Sequence, residues 1–244
     1  VISKKVLIIF PCYNEEDSIG KLLMTAKKLN YPGFSFCLLP INDCSSDGTL
    51  IELTKNSKTY MDLANNLGIG AVVQLGIKYA QLNNFDYAIQ VDGDGQHPIE
   101  EIEKLILESE ASKCDICIGS RYLKHEGFQS TFARRFGINL INVLIKMLTG
   151  KTIHDSTSGF RMFNKKAINL FSNYYPDKYP EPESIVCALI NGLTISEVSV
   201  VMKERQGGKS SIAGLRSVYY MVKVFLAIIF LKLSNSKNGI NSIN

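Results

Sequence analysis

The sequence predicts an α/β protein with a doubly wound, mostly parallel sheet flanked by helices. Two observations lead there. Apolar runs such as Val6-Leu7-Ile8-Ile9-Phe10 are continuous rather than alternating, as in strands covered on both faces. Strand-like and helix-like segments then alternate over about 120 residues, the pattern of βαβ units and hence of a parallel sheet. The length of 244 residues suits one large α/β domain or two small ones. With 45% hydrophobic and 20% charged residues, the composition is ordinary for a folded soluble protein.

In chain order, the first strand, Val6–Phe10, ends at Pro11-Cys12-Tyr13-Asn14-Glu15-Glu16. Asn14 or Asp17 can cap the helix that follows to about Asn30, with Ile19, Leu22, Leu23 and Ala26 on its inner face. Tyr31-Pro32-Gly33 is a turn. The second strand, Phe34–Ile41, runs into Asn42-Asp43-Cys44-Ser45-Ser46-Asp47-Gly48-Thr49, a loop crowded with acceptors and hydroxyls. A helix from about Thr49 to Asn56 and a short third strand, Thr59–Leu63, follow. The loop Asn65–Gly70 opens a helix of small residues, Ala71–Leu82. Its Gly68-Ile69-Gly70 can let backbone N–H groups approach a phosphate, but Val73 stands where a dinucleotide fingerprint needs its third glycine. The fourth strand is Tyr87–Val91, the next helix Ile99–Ser109, and the fifth strand Ile116–Gly119, closed by Ser120-Arg121-Tyr122.

The fourth strand ends in Asp92-Gly93-Asp94-Gly95-Gln96-His97-Pro98. Side chains alternate along a strand, so Asp92 and Asp94 emerge on one side. Adjacent carboxylates repel and are costly to leave together without a cation between them. Such oxygen ligands suit hard ions, Mg²⁺ or Mn²⁺, often shared with substrate phosphates. Pro98 starts a helix where its missing N–H costs nothing. Taken alone, the stretch also reads as a polar turn rich in Asp and Gly. In a doubly wound sheet, however, ligands bind beyond the carboxyl ends of the strands, and Asp43, Asp92 with Asp94, and Arg121 all follow strands at that edge. An EF-hand loop is excluded, because His97 occupies the obligatory glycine position.

Charge is divided along the chain, which is +4 overall. Residues 1–112 carry 9 Lys and Arg against 15 Asp and Glu, a balance of −6; residues 113–244 carry 18 against 8, a balance of +10. An acidic half able to hold a cation, followed by a basic half, fits a phosphate-bearing substrate or an anionic membrane surface. Lys and Arg are dispersed and no nucleic-acid-binding motif is recognisable, so no nucleic acid is expected as a partner. Of the six Cys, at 12, 37, 44, 114, 117 and 187, most lie in apolar strand-like runs, where a free Cys acts as a small hydrophobe. Cys114-Asp115-Ile116-Cys117 has redox or zinc spacing, but it opens a strand and no second pair follows. The run Val6–Phe10 is too short for a signal peptide. Together these features favour a reducing, cytoplasmic compartment.

In the second half, Ser130–Leu148 reads as a helix with an apolar stripe of Phe132, Phe136, Leu140, Val143, Leu144 and Met147. Arg134 and Arg135 near its start are either solvated charges or phosphate binders. Asp155-Ser156-Thr157-Ser158-Gly159-Phe160-Arg161 reads as too polar and small to be core. Tyr174–Pro182 reads as a Pro/Tyr loop ending in Glu181-Pro182-Glu183, and Leu193–Lys203 as an alternating strand. Gly208-Lys209-Ser210 ends like a phosphate loop, but Lys203 stands where that motif needs its first glycine. The apolar tail Leu215–Leu233 has only eight uncharged residues between Lys223 and Lys232, short of the roughly 20 that span a bilayer. It reads as an amphipathic helix on a membrane or partner, with a covered core helix as the alternative. The polar residues 234–244 read as a disordered tail.

Pro11-Cys12-Tyr13-Asn14-Glu15, Asn42-Asp43-x-Ser45-x-Asp47-Gly48-Thr49 and Asp92-x-Asp94-x-Gln96-His97-Pro98, in that order, closely resemble the motifs of family 2 glycosyltransferases of the GT-A fold. Gly119-Ser120-Arg121-Tyr122, Arg134-Arg135, Thr157-Ser158-Gly159-Phe160-Arg161 and Arg205-x-Gly207-Gly208-Lys209-Ser210 resemble the dolichyl-phosphate mannosyltransferase branch, which moves a sugar onto a polyprenyl phosphate. The resemblance covers about residues 4–212. It implies a GT-A catalytic domain over 1–212, then a membrane-associating helix over 213–233 and the tail 234–244. Two departures stand out. Asn42 replaces a frequent Asp, and Gly93 and Gly95 replace Ala or Leu, which implies a more mobile loop. Many relatives also carry spanning helices after this domain, and no segment here qualifies; a small membrane protein or a homo-oligomer is a further partner this suggests.

Carried over residue by residue, the resemblance implies that Pro11, Tyr13, Glu15 and Asp43 hold the nucleoside of a UDP- or GDP-sugar donor. Asp92, Asp94 and Gln96 would hold Mg²⁺ or Mn²⁺ on its diphosphate, with Gly93, Arg205 and Lys209 also on the donor side. Arg121, Arg135 and Arg134 would grip the acceptor, undecaprenyl or dolichyl phosphate. Asp94, Arg205 and Arg121 are the residues placed closest to the chemistry. A phosphate monoester is already an anion, so no base is assigned and inversion at the anomeric carbon is expected. A glycan or protein hydroxyl, as in cell-wall or surface polysaccharide synthesis, is the alternative acceptor and would need a base, for which Glu183 is the candidate. The expected location is peripheral, on the cytoplasmic face of the membrane.

Overall fold

β1 (Lys4–Cys12) is the spine of the sheet, and from Val6 to Cys12 every residue is buried. Leu7 and Ile9 enter one core; Val6, Ile8 and Phe10 enter another on the opposite face. Covering on both faces is the physical reason the run does not alternate. The strand extends past the predicted Val6–Phe10 because β2 (Phe34–Asn42) pairs with it along its full length, from Lys4↔Phe34 to Cys12↔Asn42. β3 is only Met61–Asp62, and β4 is Tyr87–Gln90. Pro11 fits inside β1 because pairing with β4 has already ended at Ile9↔Gln90.

The computed structural model describes residues 3–123, 132–203 and 223–230, the side chains of 132–134 excepted. With β5 (Ile116–Ser120), β6 (Arg161–Asn164) and β7 (Ile195–Ser199), the sheet has the order β3-β2-β1-β4-β6-β5-β7. It is mostly parallel, as predicted. The exception is β6, antiparallel to both β4 and β5. Strand order reverses between β1 and β4, which opens a crevice beyond their carboxyl ends.

The helices are α1 (Ile19–Ala26), α2 (Thr49–Asn56), α3 (Ile69–Leu82), α4 (Ile102–Ser112), α5 (Phe132–Thr149), α6 (Lys165–Asn173), α7 (Pro180–Ile190) and α8 (residues 223–230). α1, α2 and α4 pack on the face of Val6, Ile8 and Phe10; α3, α5, α6, α7 and α8 pack on the other. α3 lies close to β1, since a Cβ on Gly76 would come within 2.6 Å of Ile9 Cγ2.

Several elements differ from expectation. α1 stops at Ala26 rather than near Asn30. Pro98 is the extended residue before a 3₁₀ turn, Ile99–Glu101, that leads into α4. β6 and α6 were not foreseen, and Tyr174–Pro182 is not a loop throughout, because α7 begins at Pro180. Pro180 and Pro182 fall in the first turn of α7, where an N–H has no intrahelical partner to lose. α5 is apolar on two sides. Ile138, Ile141, Leu144 and Ile145 are buried, whereas Phe136, Leu140, Val143 and Met147 of the predicted stripe are exposed. α8 covers part of the predicted C-terminal helix, with Val224 and Ile228 buried and Leu226 and Phe230 exposed. The rest of the predicted C-terminal helix and the tail 234–244 lie outside the described residues. None of the described helices is long and apolar enough to cross a membrane. Cys12, Cys114, Cys117 and Cys187 are buried, Cys37 and Cys44 exposed, and none is in a disulfide.

Candidate active site

Loops after β1, β2 and β4 meet in a cavity of about 680 Å³, a size typical of small-molecule sites. Its walls include Pro11, Tyr13, Glu15, Asp43, Asp92, Gly93 and Asp94, so seven residues singled out from the sequence come together. Tyr13 is 51% exposed, a ring free to stack on a planar ligand. Asn14 and Cys44 are left-handed, at φ 56° and 57°. That geometry lets the first two loops stitch together. The N–H of Asn14 donates to Ser45 Oγ (3.0 Å), Ser46 N–H to Asn14 Oδ1 (2.8 Å), Glu15 N–H to Thr49 Oγ1 (2.8 Å) and Gly48 N–H to Glu16 Oε2 (2.7 Å). Much of the polar crowding in 42–49 is therefore internal stapling. Asp43 accepts the N–H groups of Leu67 (2.7 Å) and Gly68 (2.9 Å), so the Gly68–Gly70 turn presents these groups to a protein carboxylate.

Neither Asn14 nor Asp17 caps α1. Ser18 stands at that position and donates instead to the carbonyl of Gly93 (2.6 Å), tying the helix to the Asp92–Asp94 loop. Asp94 Oδ1 accepts Gln96 N–H (3.0 Å) in a local turn. Asp92 Oδ1 accepts from Gln90 Nε2 (3.0 Å), and Asp92 N–H donates to His97 Nδ1 (3.0 Å). His97 therefore carries its proton on Nε2, 3.7 Å from Asp92 Oδ2, with its ring on Phe160 at 5.1 Å. The two loop glycines answer to space and conformation rather than mobility. A Cβ on Gly93 would lie 2.9 Å from Pro11 O, and Gly95 has φ 75°. Gln96 is half-buried and not a wall of the cavity; its carbonyl accepts Lys203 N–H (3.0 Å). Among the described residues no three His, Cys, Asp or Glu side chains gather as a metal cage. Two carboxylates and an amide oxygen nevertheless fit a hard ion that completes its shell with water and phosphate oxygens.

The other side of the crevice is built by β5, β6 and the segment before β6. Asp155, Ser156, Ser158 and Arg161 are fully buried, against the expectation that 155–161 is too polar for the core. Most of their polar groups are paired: Ser158 Oγ donates to the Gly119 carbonyl (2.7 Å) and Asp155 accepts from Arg121, whereas Ser156 Oγ has no partner among the described residues. Arg121 Nε and Nη2 form a fork with the Asp155 oxygens (2.7 Å each), and Nη2 also donates to Thr157 Oγ1 (2.9 Å). Burial opposes the charge on Arg121, but Asp155 outweighs it and pushes the guanidinium up; Asp92 adds to that. Arg161 donates to the carbonyls of Ser156, Ser158 and Glu181 and to Ser184 Oγ. It thereby holds the start of α7 against the loop beside Asp92, where a Cβ on Gly159 would come within 3.0 Å of Asp92 Oδ2. Arg121 and Arg135 both lie over the Tyr122 ring, at 5.3 and 5.8 Å.

Of the two glutamates on α7, Glu181 belongs to this cluster. Burial and the charge of Asp92 raise its carboxyl, against the opposing pull of Arg161. Burial and Asp177 push Glu183 up to about 7, with Lys178 opposing. The Arg134 side chain, Arg205 and Lys209 lie outside the described residues. Sequence reasoning named Asp155, Tyr122 and Glu181 only within longer stretches and gave them no role. The one signal was the density of small polar residues in 155–161, which is what a buried hydrogen-bonded layer requires.

The family model Glycosyl transferase family 2 matches residues 7–171. The chain is 25% identical over 232 residues to the polyprenol monophosphomannose synthase of Mycolicibacterium smegmatis, covering 91% of this chain and 86% of that one. It is 27% identical over 250 residues to the UDP-N-acetylglucosamine–dolichyl-phosphate N-acetylglucosaminyltransferase of Methanococcus voltae, covering 94% and 97%. Among solved structures, glucosyl-3-phosphoglycerate synthase of Mycobacterium tuberculosis with Mn²⁺, UDP and glucosyl-3-phosphoglycerate superposes with a TM-score of 0.67 at 14% identity, over 98% of this chain and 82% of that one. This last likeness shows a shared fold.

Proposed function

Because the chain belongs to glycosyltransferase family 2, we propose that it transfers a sugar from a UDP- or GDP-sugar to a polyprenyl phosphate, with inversion, using Mg²⁺ or Mn²⁺. The observation that carries this reading is the meeting of two charge types in one crevice. The charge of Asp92, on the donor side, acts on Arg121 and on Glu181 across it. The relatives named for transfer to polyprenyl and dolichyl phosphates point the same way.

In this reading Pro11, Tyr13, Glu15 and Asp43 hold the nucleoside. Asp43 keeps lone pairs for a ribose hydroxyl beyond the two N–H groups it accepts. Asp92, Asp94 and Gln96 hold the cation, which when bound neutralises charge on the departing diphosphate. Arg205 and Lys209 serve the same charge from the protein side. Arg121 and Arg135, with Arg134, take the acceptor phosphate, whose planar multidentate recognition suits guanidinium. That phosphate is an anion at pH 7 and attacks the anomeric carbon without a base. The acceptor is met at the cytoplasmic face of a membrane: α5 exposes Phe136, Leu140, Val143 and Met147, has Lys146 in its last turn and contains no acidic residue.

A hydroxyl acceptor is the second reading, and one observation favours it. Glu181, with its raised affinity for a proton beside Asp92, is the base such a reaction needs, in place of Glu183. Incubation with a panel of radiolabelled nucleotide sugars, with either polyprenyl phosphate or a soluble glycan, separates the two. Label extracted into organic solvent as an acid-labile lipid, and abolished by a chelator, is expected. Label in glycan alone refutes the proposal.

A further inference from the structure

Two guanidinium groups share one aromatic ring. Arg121 Cζ lies 5.3 Å and Arg135 Cζ 5.8 Å from the centroid of Tyr122. The face of an aromatic ring attracts each of them. The two arginines are otherwise held very differently. Arg121 is fixed: its fork closes on Asp155, its backbone N–H donates to the same carboxylate (3.0 Å), and Glu197 Oε1 in turn accepts Asp155 N–H (2.9 Å). Arg135 stands in the first turn of α5, and among the described residues no carboxylate pairs with it. The Tyr122 ring is thus a contact that the two guanidiniums share.

We infer that Tyr122 is a positioning residue for the acceptor, its ring giving Arg135 a contact in common with the Asp155-anchored Arg121, so that a phosphate monoester draws on both guanidiniums. The inference rests on the polyprenyl-phosphate reading above. A phosphate supplies an anion to Arg135, which no carboxylate among the described residues does; a neutral hydroxyl does not. The π face matters in this arrangement, not the phenolic hydroxyl.

The test compares Tyr122→Leu and Tyr122→Phe in the full chain, with a short-chain polyprenyl phosphate and the donor sugar nucleotide. Tyr122→Leu is expected to raise the acceptor KM about 10-fold and leave the donor KM and nucleoside diphosphate affinity within about twofold. Tyr122→Phe is expected to behave as wild type. Arg135→Lys keeps the charge but loses the planar stack, and is expected to raise the acceptor KM similarly. An unchanged acceptor KM in Tyr122→Leu or in Arg135→Lys overturns the inference. So does a Phe variant as impaired as Leu, or an equal loss on donor and acceptor sides. Lipid-linked product from wild type is the control: its absence removes the acceptor reading itself, and this inference with it.

Discussion

The two sides of the crevice hold their polar groups by opposite means. On the β1–β2–β4 side, carboxylates and amides line an open cavity, and the loops that carry them are fixed by hydrogen bonds from loop to loop, many of them donated by backbone N–H groups. On the β5–β6 side, the polar groups are dry and are organised around two guanidiniums, one forked to a carboxylate and one wrapped in carbonyls. An open acidic wall can take in a hydrated cation and a diphosphate. A closed basic wall, partly neutralised by Asp155, leaves Arg135 to meet an incoming anion beside the forked Arg121. In the proposed reading, the separation lets one crevice face two phosphates without collapsing onto itself.

Substitutions on each side should break or sharpen that contrast. The largest effect is expected from Asp94→Asn, which removes charge from the open side: nucleoside diphosphate release should fall by about 10²- to 10⁴-fold with little change in Tm. Unaltered turnover would remove the cation from the donor side. Next, Asp155→Asn leaves Arg121 buried beside a neutral partner. Urea unfolding should show a loss of about 3–5 kcal/mol; a loss below about 1 kcal/mol would mean the closed side is wetter than its burial indicates. Ser18→Ala deletes the bond to Gly93 O and should cost about 1 kcal/mol while raising several-fold the Mn²⁺ concentration for half-maximal rate. A stability loss with an unmoved Mn²⁺ dependence would confine Ser18 to structure.

The smallest effect concerns Glu183, in the first turn of α7. Its carboxyl is raised from 4.5 to about 7 in the folded chain, so the folded state keeps the proton longer than the unfolded one. The associated stability is present below pH 4.5 and is lost as pH rises through 7. Glu183→Gln should therefore match wild type at pH 5 and melt about 1–2 °C higher at pH 8, a modest gain because the group is partly exposed to solvent. A gain at pH 5 instead would reverse the sign of this coupling.

The same contrast governed what could be read from the sequence. The cavity lining was legible because its residues stand at or just beyond strand ends: Pro11 at the end of β1 with Tyr13 and Glu15 beyond it, Asp43 after β2, Asp92 and Asp94 after β4. Local order in sequence is local order in space there. The β5–β6 side is assembled from distant pieces. Arg121 finds Asp155 thirty-four residues later, and Arg161 finds Glu181 twenty later. β6 has four residues and no alternation to betray it, and the prolines of α7 look like a loop when they are a helix start. The apolar stripe of α5 was visible but its direction was not, since helical spacing alone does not say which of two apolar faces meets the core.

β6 also sets an order of assembly. β4 pairs with residues 161–164, more than seventy positions further along, and β5 reaches the sheet only through the same strand. During synthesis, a chain extended only through β5 holds β1, β2 and β4 together but leaves β4 with an unpaired edge, the kind of edge that recruits other chains. Closure waits for four residues that arrive late and run backwards, so the slow step of folding should be the docking of that strand, with a rate governed by the long loop it closes.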